Sequence, residues 1–226
     1  MIMVFVMKTW SRKLLPLWSF LFSSLVMDAL IDTSILSWNI RGAYNNNAKR
    51  HLKDMTRKHN PTFMASYETH IPFARLSSFW TNIGYTPVHI IEANGHSGGI
   101  WLLKHSITNI TSTVLDFNQH SITFSISRGT AITTCTCTCI YVSPNHSMRP
   151  NLWNYLMNIN QIIDVPWMII GDFSETLLSN EQRGGIFHHN RADIFSNFMN
   201  NCNLFDLTTT GGRFTWHRNN NGIRIL

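Results

Sequence analysis

The sequence predicts an α/β fold in which two mixed β-sheets pack face to face and helices cover their outer sides. Short apolar runs of strand length alternate with segments whose apolar residues recur at helical spacing. Several predicted strands follow one another with no helix between them, whereas a doubly wound parallel sheet alternates more strictly. Hydrophobic residues make up 44% of the 226 residues and charged residues only 13%, which excludes an intrinsically disordered chain.

The first half of the fold combines strands with amphipathic helices. In chain order we predict a strand at 35–40, a helix at 48–59, a strand at 62–66, a short helix at 74–82 and a strand at 98–103. In the first helix, Leu52 and Met55 are spaced to lie on one apolar face. Asn60-Pro61 then ends this helix, because a proline disfavours helical geometry in the residue before it.

The second half continues in the same way. We predict strands at 121–127 and 130–142, a helix at 149–163, a strand at 165–170, a helix at 192–201 and strands at 204–207 and 213–216. Apolar and polar residues alternate at 121–127, so we expect that strand to be half-buried. In the last helix we expect Ile194, Phe195 and Phe198 to face inward. No linker rich in Pro, Gly or Ser divides residues 35–226, which we interpret as one domain.

Residues 1–34 differ from the rest of the chain and are left out of this fold prediction. Basic Lys8, Arg12 and Lys13 precede a mostly apolar segment at 14–27, which is the outline of a secretory signal peptide. The cleavage region lacks a clear pair of small residues, so we interpret residues 1–34 as a spurious extension rather than a working signal. No apolar run reaches 18 residues, and we therefore expect no stable association with a membrane.

Three of the four cysteines alternate with threonines in the run Cys135-Thr136-Cys137-Thr138-Cys139. Residues two apart lie on the same face of a strand, whereas zinc sites favour pairs spaced as Cys-x-x-Cys. We therefore predict that these thiols are small buried hydrophobic groups in a protein of a reducing compartment.

The charge balance favours an anionic partner. Lys+Arg is 18 and Asp+Glu is 12, which gives a formal charge of +6 and suits nucleic acid. Lys49, Arg50 and Lys53 lie on the polar face of the first helix, with Arg41 nearby, and could contact DNA phosphates. The alternative is an ordinary solvated helix face.

Polar side chains follow three of the predicted strands. Asn39 ends the first strand, Glu68 follows the second and Asp172 follows the strand at 165–170. Such residues collect at one edge of a sheet, where α/β proteins often form their sites. Glu68 and Asn39 supply the oxygen ligands that Mg²⁺ prefers, and Asp172 and Tyr141 could orient a water and a phosphate oxygen. Taken alone, each carboxylate could equally be a loop cap or a surface charge.

Seven short motifs occur along the chain in a fixed order. They are Ser37-Trp38-Asn39-Ile40-Arg41-Gly42, Glu68-Thr69, Gly98-Gly99-Ile100-Trp101, Tyr141-x-Ser143-Pro144, Pro166-Trp167-Met168-Ile169-Ile170-Gly171-Asp172-Phe173, Arg183-Gly184-Gly185 and Phe214-Thr215-Trp216. This set resembles the endonuclease domain of plant non-LTR (LINE-type) retrotransposons. That domain belongs to the endonuclease/exonuclease/phosphatase superfamily, together with apurinic endonucleases and pancreatic deoxyribonuclease. The resemblance implies a DNase I-like fold, a four-layer α-β-β-α sandwich of two mixed sheets.

The resemblance also implies an activity, which is Mg²⁺-dependent phosphodiester hydrolysis that nicks target DNA, with Mn²⁺ as a substitute metal. By the same resemblance, Glu68 is the principal metal ligand and Asn39 lies near the metal. Tyr141 contacts the scissile phosphate, and Asp172 activates or orients the attacking water. The implied partner is DNA, with no small-molecule cofactor, and the implied location is nuclear or cytoplasmic.

The sequence departs from the family pattern in two places. Ser174 stands where the family has an asparagine that donates to the phosphate, and losing one such donor typically costs about 10²–10³ in rate. The sequence also ends at Leu226, before a further Asp and a Ser-Asp-His motif of the family. We therefore expect a truncated domain with weak or no activity. We also expect the strand at 165–170 to lack a pairing partner and to form an open edge.

Three alternatives remain open. The chain could be a DNA-binding remnant that has lost catalysis. It could be another phosphoesterase of the same superfamily, which acts on inositol lipids or sugar phosphates. It could also be a secreted or anchored protein that uses the apolar segment at 14–27.

Overall fold

A computed structural model describes residues 5–8, 33–95, 98–129, 135–207, 218–220 and 223–225 of the chain. The described strands are β1 (Phe5–Lys8), β2 (Ile35–Asn39), β3 (Phe63–Tyr67), β4 (Tyr85–Ile91), β5 (Ile100–His105), β6 (Ile110–Asn118), β7 (Ser121–Arg128), β8 (Cys135–Tyr141), β9 (Trp167–Asp172), β10 (Leu204–Asp206), β11 (Arg218–Asn220) and β12 (Ile223–Ile225). The described α-helices are α1 (Asn46–His59), α2 (Ser77–Asn82), α3 (Arg149–Ile162) and α4 (His189–Asn201).

The strands form two mixed sheets. The larger sheet has six strands in the order β10-β1-β9-β8-β7-β6, and the smaller has four in the order β2-β3-β5-β4. Strands β11 and β12 pair only with each other within the described residues. The six-stranded sheet contains one parallel pair, β8 with β9, and the four-stranded sheet contains one, β2 with β3. All other described pairs in these two sheets are antiparallel.

The two sheets pack face to face around an apolar core, in which the rings of Phe63 and Phe124 lie 5.2 Å apart. A second core joins the outer face of the six-stranded sheet to α3 and α4, through side chains such as Trp153 and Phe198. A third core joins the four-stranded sheet to α1 and α2. These layers confirm the predicted α-β-β-α sandwich.

Helix α1 shows how local sequence sets the element bounds. The Asn45 side chain accepts a hydrogen bond from the Ala48 amide and so caps the first turn. At the other end Asn60 has a left-handed φ of 40°, which ends the helix before Pro61. Leu52 is fully buried against the four-stranded sheet, as its spacing predicted.

Two burial predictions are wrong. Strand β7 is buried on both faces along most of its length, because its hydroxyl groups find partners inside the protein. One example is the pair of Thr123 and Thr138 hydroxyls, which are 2.9 Å apart. In α4, Phe195 and Phe198 face inward as predicted, but Ile194 is 37% exposed because it lies on the solvent side of the helix.

Strand β9 is not an open edge, contrary to the prediction. It pairs in parallel with β8 on one side and antiparallel with β1 on the other. Strand β1 lies within residues 1–34, which had been left out of the fold, and it also pairs with β10. The backbone of Phe5–Lys8 therefore satisfies the hydrogen-bonding groups that the edge would otherwise expose. The predicted strand at 213–216 lies outside the described residues.

The predicted burial of Cys135, Cys137 and Cys139 is confirmed. All four cysteines are buried, and burial raises the pKa of the Cys135 thiol to about 12. None of the helices among the described residues is long and apolar enough to cross a membrane.

Candidate active site

The parallel strand pairs bring the predicted site residues to one edge of the sandwich. In the six-stranded sheet Tyr141 and Asp172 are register partners at the ends of β8 and β9. In the four-stranded sheet Asn39 ends β2, and its register partner Tyr67 immediately precedes Glu68. Each sheet therefore contributes one polar pair to the same edge.

A hydrogen bond between Asn39 and Asp172 links the two sheets at this edge. The Asn39 side-chain amide donates from Nδ2 to Oδ2 of Asp172 over 2.8 Å. The side-chain oxygen Oδ1 of Asn39 accepts a hydrogen bond from the backbone amide of Arg41 at 3.2 Å. The other oxygen of Asp172, Oδ1, accepts from the Ser174 amide at 3.1 Å and from the Ser174 hydroxyl at 2.9 Å. The Asp172 carboxylate is thus held from both sides, and the residue is only 6% exposed.

Tyr141 and Glu68 form the second contact across the sheets. Burial, then the charge of Glu68 and its hydrogen bond to the tyrosine, raises the pKa of Tyr141 well above its ordinary range. The hydroxyl therefore stays protonated at neutral pH and can donate a hydrogen bond. The Glu68 side chain is 23% exposed, and one of its oxygens lies 3.9 Å from Nε2 of His70. Glu68 is accordingly open to a ligand from solvent.

The loops of this edge have an unusual backbone. Six non-glycine residues with positive φ occur in the described part of the chain, and four of them lie in these loops. The four are Arg41, Glu68, His70 and Ser174. Such conformations cost free energy and persist where neighbouring groups hold them, which is common at functional sites. Two of the loops hold each other here, because the Gly42 amide donates to the Glu68 carbonyl at 2.8 Å.

Glycine is required immediately before Asp172. Gly171 has a φ of 145°, and a Cβ at this position would lie 1.9 Å from the carbonyl oxygen of Ile140 on β8. The absence of a side chain lets the β8 and β9 backbones approach at the point where Tyr141 and Asp172 leave the sheet.

The donor set at this edge fits a hard divalent cation such as Mg²⁺. Glu68, Asp172 and the Asn39 carbonyl offer oxygen atoms, and Mg²⁺ usually binds one or two carboxylates while it keeps several waters. No group of three or more His, Cys, Asp or Glu side chains that could hold a metal ion occurs among the described residues. Oxygen donors of this kind suit Mg²⁺ better than a soft metal that prefers thiolate ligands.

The residues predicted to bind nucleic acid lie beside this edge or on the adjoining helix. Arg41 is exposed in the loop that follows Asn39. Helix α1 begins after the same loop, and Lys49 lies 5.3 Å from the ring centre of Tyr44, an exposed tyrosine that the sequence analysis missed. Arg50 and Lys53 are exposed on this helix.

Next to Asp172 lies an ionic cluster that no sequence pattern predicted. It consists of Arg149, Glu175 and Arg191 and is called the arginine–glutamate cluster. Glu175 is 26 residues from Arg149 and 16 from Arg191, so no local spacing signals the contact. Both arginines also donate to the carbonyl oxygen of Ser174.

No protein-family model matches the chain, and no curated protein is similar to it in sequence. Several solved structures share its fold. An AP endonuclease from Leishmania major has a TM-score of 0.61 and 13% identity, over 76% of this chain and 67% of that one. The 3′ phosphatase NExo from Neisseria, bound to a product DNA hairpin, has a TM-score of 0.56 and 11% identity, over 75% and 71%.

The endonuclease domain of TRAS1, a telomere-specific non-LTR retrotransposon, has a TM-score of 0.53 and 12% identity, over 75% of this chain and 72% of that one. At such low identities these likenesses show the fold alone. The chain therefore has the DNase I-like α/β fold that these DNA-processing enzymes share.

Proposed function

We propose that this protein hydrolyses phosphodiester bonds of DNA with Mg²⁺, as an endonuclease of the non-LTR, plant LINE type that nicks target DNA. The observation that carries the proposal is the hydrogen bond between Asn39 and Asp172, which joins an amide and a carboxylate from two sheets at 2.8 Å. The Tyr141–Glu68 contact at the same edge supports it. The motifs Tyr141-x-Ser143-Pro144 and Arg183-Gly184-Gly185 favour the retrotransposon assignment over other phosphoesterases.

Each residue has a distinct role in this proposal. Glu68 and the Asn39 carbonyl oxygen would hold Mg²⁺, which when bound stabilises negative charge on the phosphate and on the leaving oxygen. The Asp172 carboxylate, held by Asn39 and Ser174, orients the attacking water and accepts its proton. The Tyr141 hydroxyl, kept protonated by its surroundings, exchanges its hydrogen bond to Glu68 for one to a phosphate oxygen when DNA binds.

Ser174 is expected to lower the rate. Its single hydroxyl proton is donated to Asp172, so none remains for the phosphate. The serine preserves the alignment of the carboxylate but lacks a second donor for the charge that develops in the transition state. We therefore expect slow nicking rather than none.

The test is nicking of supercoiled plasmid by the full chain, with Mg²⁺ and with EDTA. Glu68→Gln and Asp172→Asn should each abolish Mg²⁺-dependent nicking. The matched control is Asp54→Asn, because Asp54 is an exposed carboxylate on α1 away from these loops. A folded wild-type protein that does not nick, or nicking that survives both site variants, would overturn the proposal.

A second candidate function is DNA binding without cleavage, which the exposed cations of α1 favour. Binding in EDTA should weaken with salt, and each phosphate contact contributes a slope of about −0.9 in log K against log salt. Replacing Lys49, Arg50 and Lys53 by Gln should reduce the slope by up to about 2.7. An unchanged slope would show that this helix face does not bind DNA.

A further inference from the structure

The arginine–glutamate cluster joins two almost fully buried charges, Arg149 and Glu175, to a third that is partly exposed, Arg191. The side chains of Arg149 and Glu175 are each 5% exposed, and that of Arg191 is 29% exposed. Oε1 of Glu175 lies 2.5 Å from Nη1 of Arg149, and Oε2 lies 2.8 Å from Nη2 of Arg191. One carboxylate thus holds two guanidinium groups in place.

The two guanidinium groups also donate to backbone carbonyls of the site loops. The Ser174 carbonyl accepts from Nη1 of Arg149 at 2.8 Å and from Nη2 of Arg191 at 3.2 Å. Nε of Arg149 donates to the Ser143 carbonyl at 2.9 Å, in the loop that follows Tyr141. The cluster therefore joins the loop after β8 to the loop after β9.

Ser174 transmits this arrangement to Asp172. The backbone of Ser174 has a φ of 49°, a left-handed conformation that is costly for a serine. Two cationic donors on its carbonyl support that conformation. The same conformation directs its amide and its hydroxyl to Oδ1 of Asp172, while Asn39 donates to Oδ2. An unbroken set of hydrogen bonds thus runs from Glu175 to the carboxylate.

Stability alone is a poor explanation for the cluster. Removing charges from water costs about as much as their attraction returns, so apolar residues of similar size are often equally stable in such places. An apolar replacement could not donate to the Ser174 and Ser143 carbonyls. The guanidinium N–H groups that donate to these two carbonyls are therefore what the loops require from the cluster.

We propose that Glu175 is a positioning residue that acts through Arg149 and Arg191 on Ser174 and thereby fixes the orientation of the Asp172 carboxylate. This inference rests on the proposed function, in which Asp172 orients the attacking water. A shift of a catalytic group by about 1 Å can cost about 100-fold in rate. Loosening the cluster should therefore lower turnover while the sheets stay intact.

The main variant is Arg191→Met. Arg191 is the most exposed member of the cluster, and its removal leaves Glu175 paired with Arg149, so we expect the chain to fold. Arg191→Lys keeps the charge but lacks the planar fork that reaches both Glu175 and the Ser174 carbonyl. Arg191→Lys should therefore lose less nicking activity than Arg191→Met. Arg128→Met, at the exposed end of β7 opposite the candidate active-site edge, is the matched control. Glu175→Gln tests the central carboxylate directly.

Two readouts separate this inference from the proposed function. The first is hydrogen exchange of the Ser174 amide, measured by NMR without metal or DNA. We expect exchange about tenfold faster in Arg191→Met and less than twofold changed in Arg128→Met. The second is plasmid nicking, in which kcat should fall about 10- to 100-fold in Arg191→Met with KM for DNA changed less than twofold. Arg191→Lys should lie between wild type and Arg191→Met in both.

The outcomes are distinct. Unchanged Ser174 exchange in Arg191→Met overturns the inference, whether or not the protein nicks DNA. Faster exchange in a protein that never nicks supports the cluster's control of this loop, although the proposed function itself fails. Faster exchange with unchanged kcat in an active protein overturns the positioning role. If Glu175→Gln folds, it should show the same faster Ser174 exchange and lower kcat as Arg191→Met. If Glu175→Gln does not fold, the results for Arg191→Met alone test the inference.

Discussion

Replacing Ser174 by asparagine should increase Mg²⁺-dependent nicking. The Ser174 amide and hydroxyl both donate to Oδ1 of Asp172, at 3.1 and 2.9 Å, so neither donor is free to reach a phosphate oxygen. An asparagine side chain carries two N–H donors, one of which can replace the hydroxyl while the other reaches the phosphate. The backbone also favours the change, because asparagine tolerates the left-handed conformation at φ 49° better than serine does.

The size of the effect follows from the number of donors. A single donor to a developing oxyanion contributes about 10²–10³ in rate. In Ser174→Asn one amide group must serve both Asp172 and the phosphate, so we expect less than the full value. A gain of about 10- to 100-fold, or about 1.4–2.7 kcal/mol in the activation free energy, is the expected result.

The assay compares initial nicking rates of wild type, Ser174→Asn and Ser174→Ala on supercoiled plasmid at one Mg²⁺ concentration. Ser174→Ala removes the hydroxyl donor and should be slower than wild type, because Asp172 is then held on that side only by the backbone amide. Thermal unfolding of the three proteins serves as the folding control. A folded Ser174→Asn protein that nicks no faster than wild type would refute the reasoning.

Two further predictions concern stability. Gly171→Ala should lower the free energy of unfolding by about 3 kcal/mol or more, because the new Cβ would overlap the Ile140 carbonyl. Gly95→Ala, where no atom lies within 4 Å of the new Cβ, is the control, and an equal loss in urea denaturation would contradict the prediction. Stability should also fall as pH rises above about 9, because the pKa of Cys135 is raised to about 12 in the folded protein while the unfolded thiol ionises earlier. Cys135 alone should contribute about −1.4 kcal/mol per pH unit, and a Cys135→Ala variant with an unchanged slope would contradict this.

The elements that the sequence predicted well have strong local signals. Helix α1 has an apolar face, a capping residue and a proline after its end, and all three act within one short segment. Strands β4 and β6 were missed, because their local pattern is misleading. Strand β4 contains Pro87 at a β-bulge. In the second half of β6, Leu115 and Phe117 lie on the exposed face, so the usual alternation of buried apolar and exposed polar residues is reversed there.

The same difference separates the predicted site residues from those that were missed. Asn39, Glu68 and Asp172 each follow an apolar strand, and this position alone predicted that they share an edge. Glu175 carries no such signal, since its partners come from two helices distant in the chain. Strand β1 was missed for a related reason, because its pairing with β9 joins residues far apart in the sequence.

Hydrogen bonds from neighbouring loops and from two helices hold the site loops in place. Gly42 donates to the Glu68 carbonyl, Ala43 donates to the Thr69 carbonyl, and two arginines donate to the Ser174 carbonyl. These contacts support left-handed residues whose own conformations are unfavourable. A substitution in one loop should therefore relax its neighbours. Of these donor and acceptor residues only Ala43 belongs to one of the three apolar cores, so the cores should keep the sandwich folded. A substitution at this edge should thus reduce catalytic activity before it unfolds the protein.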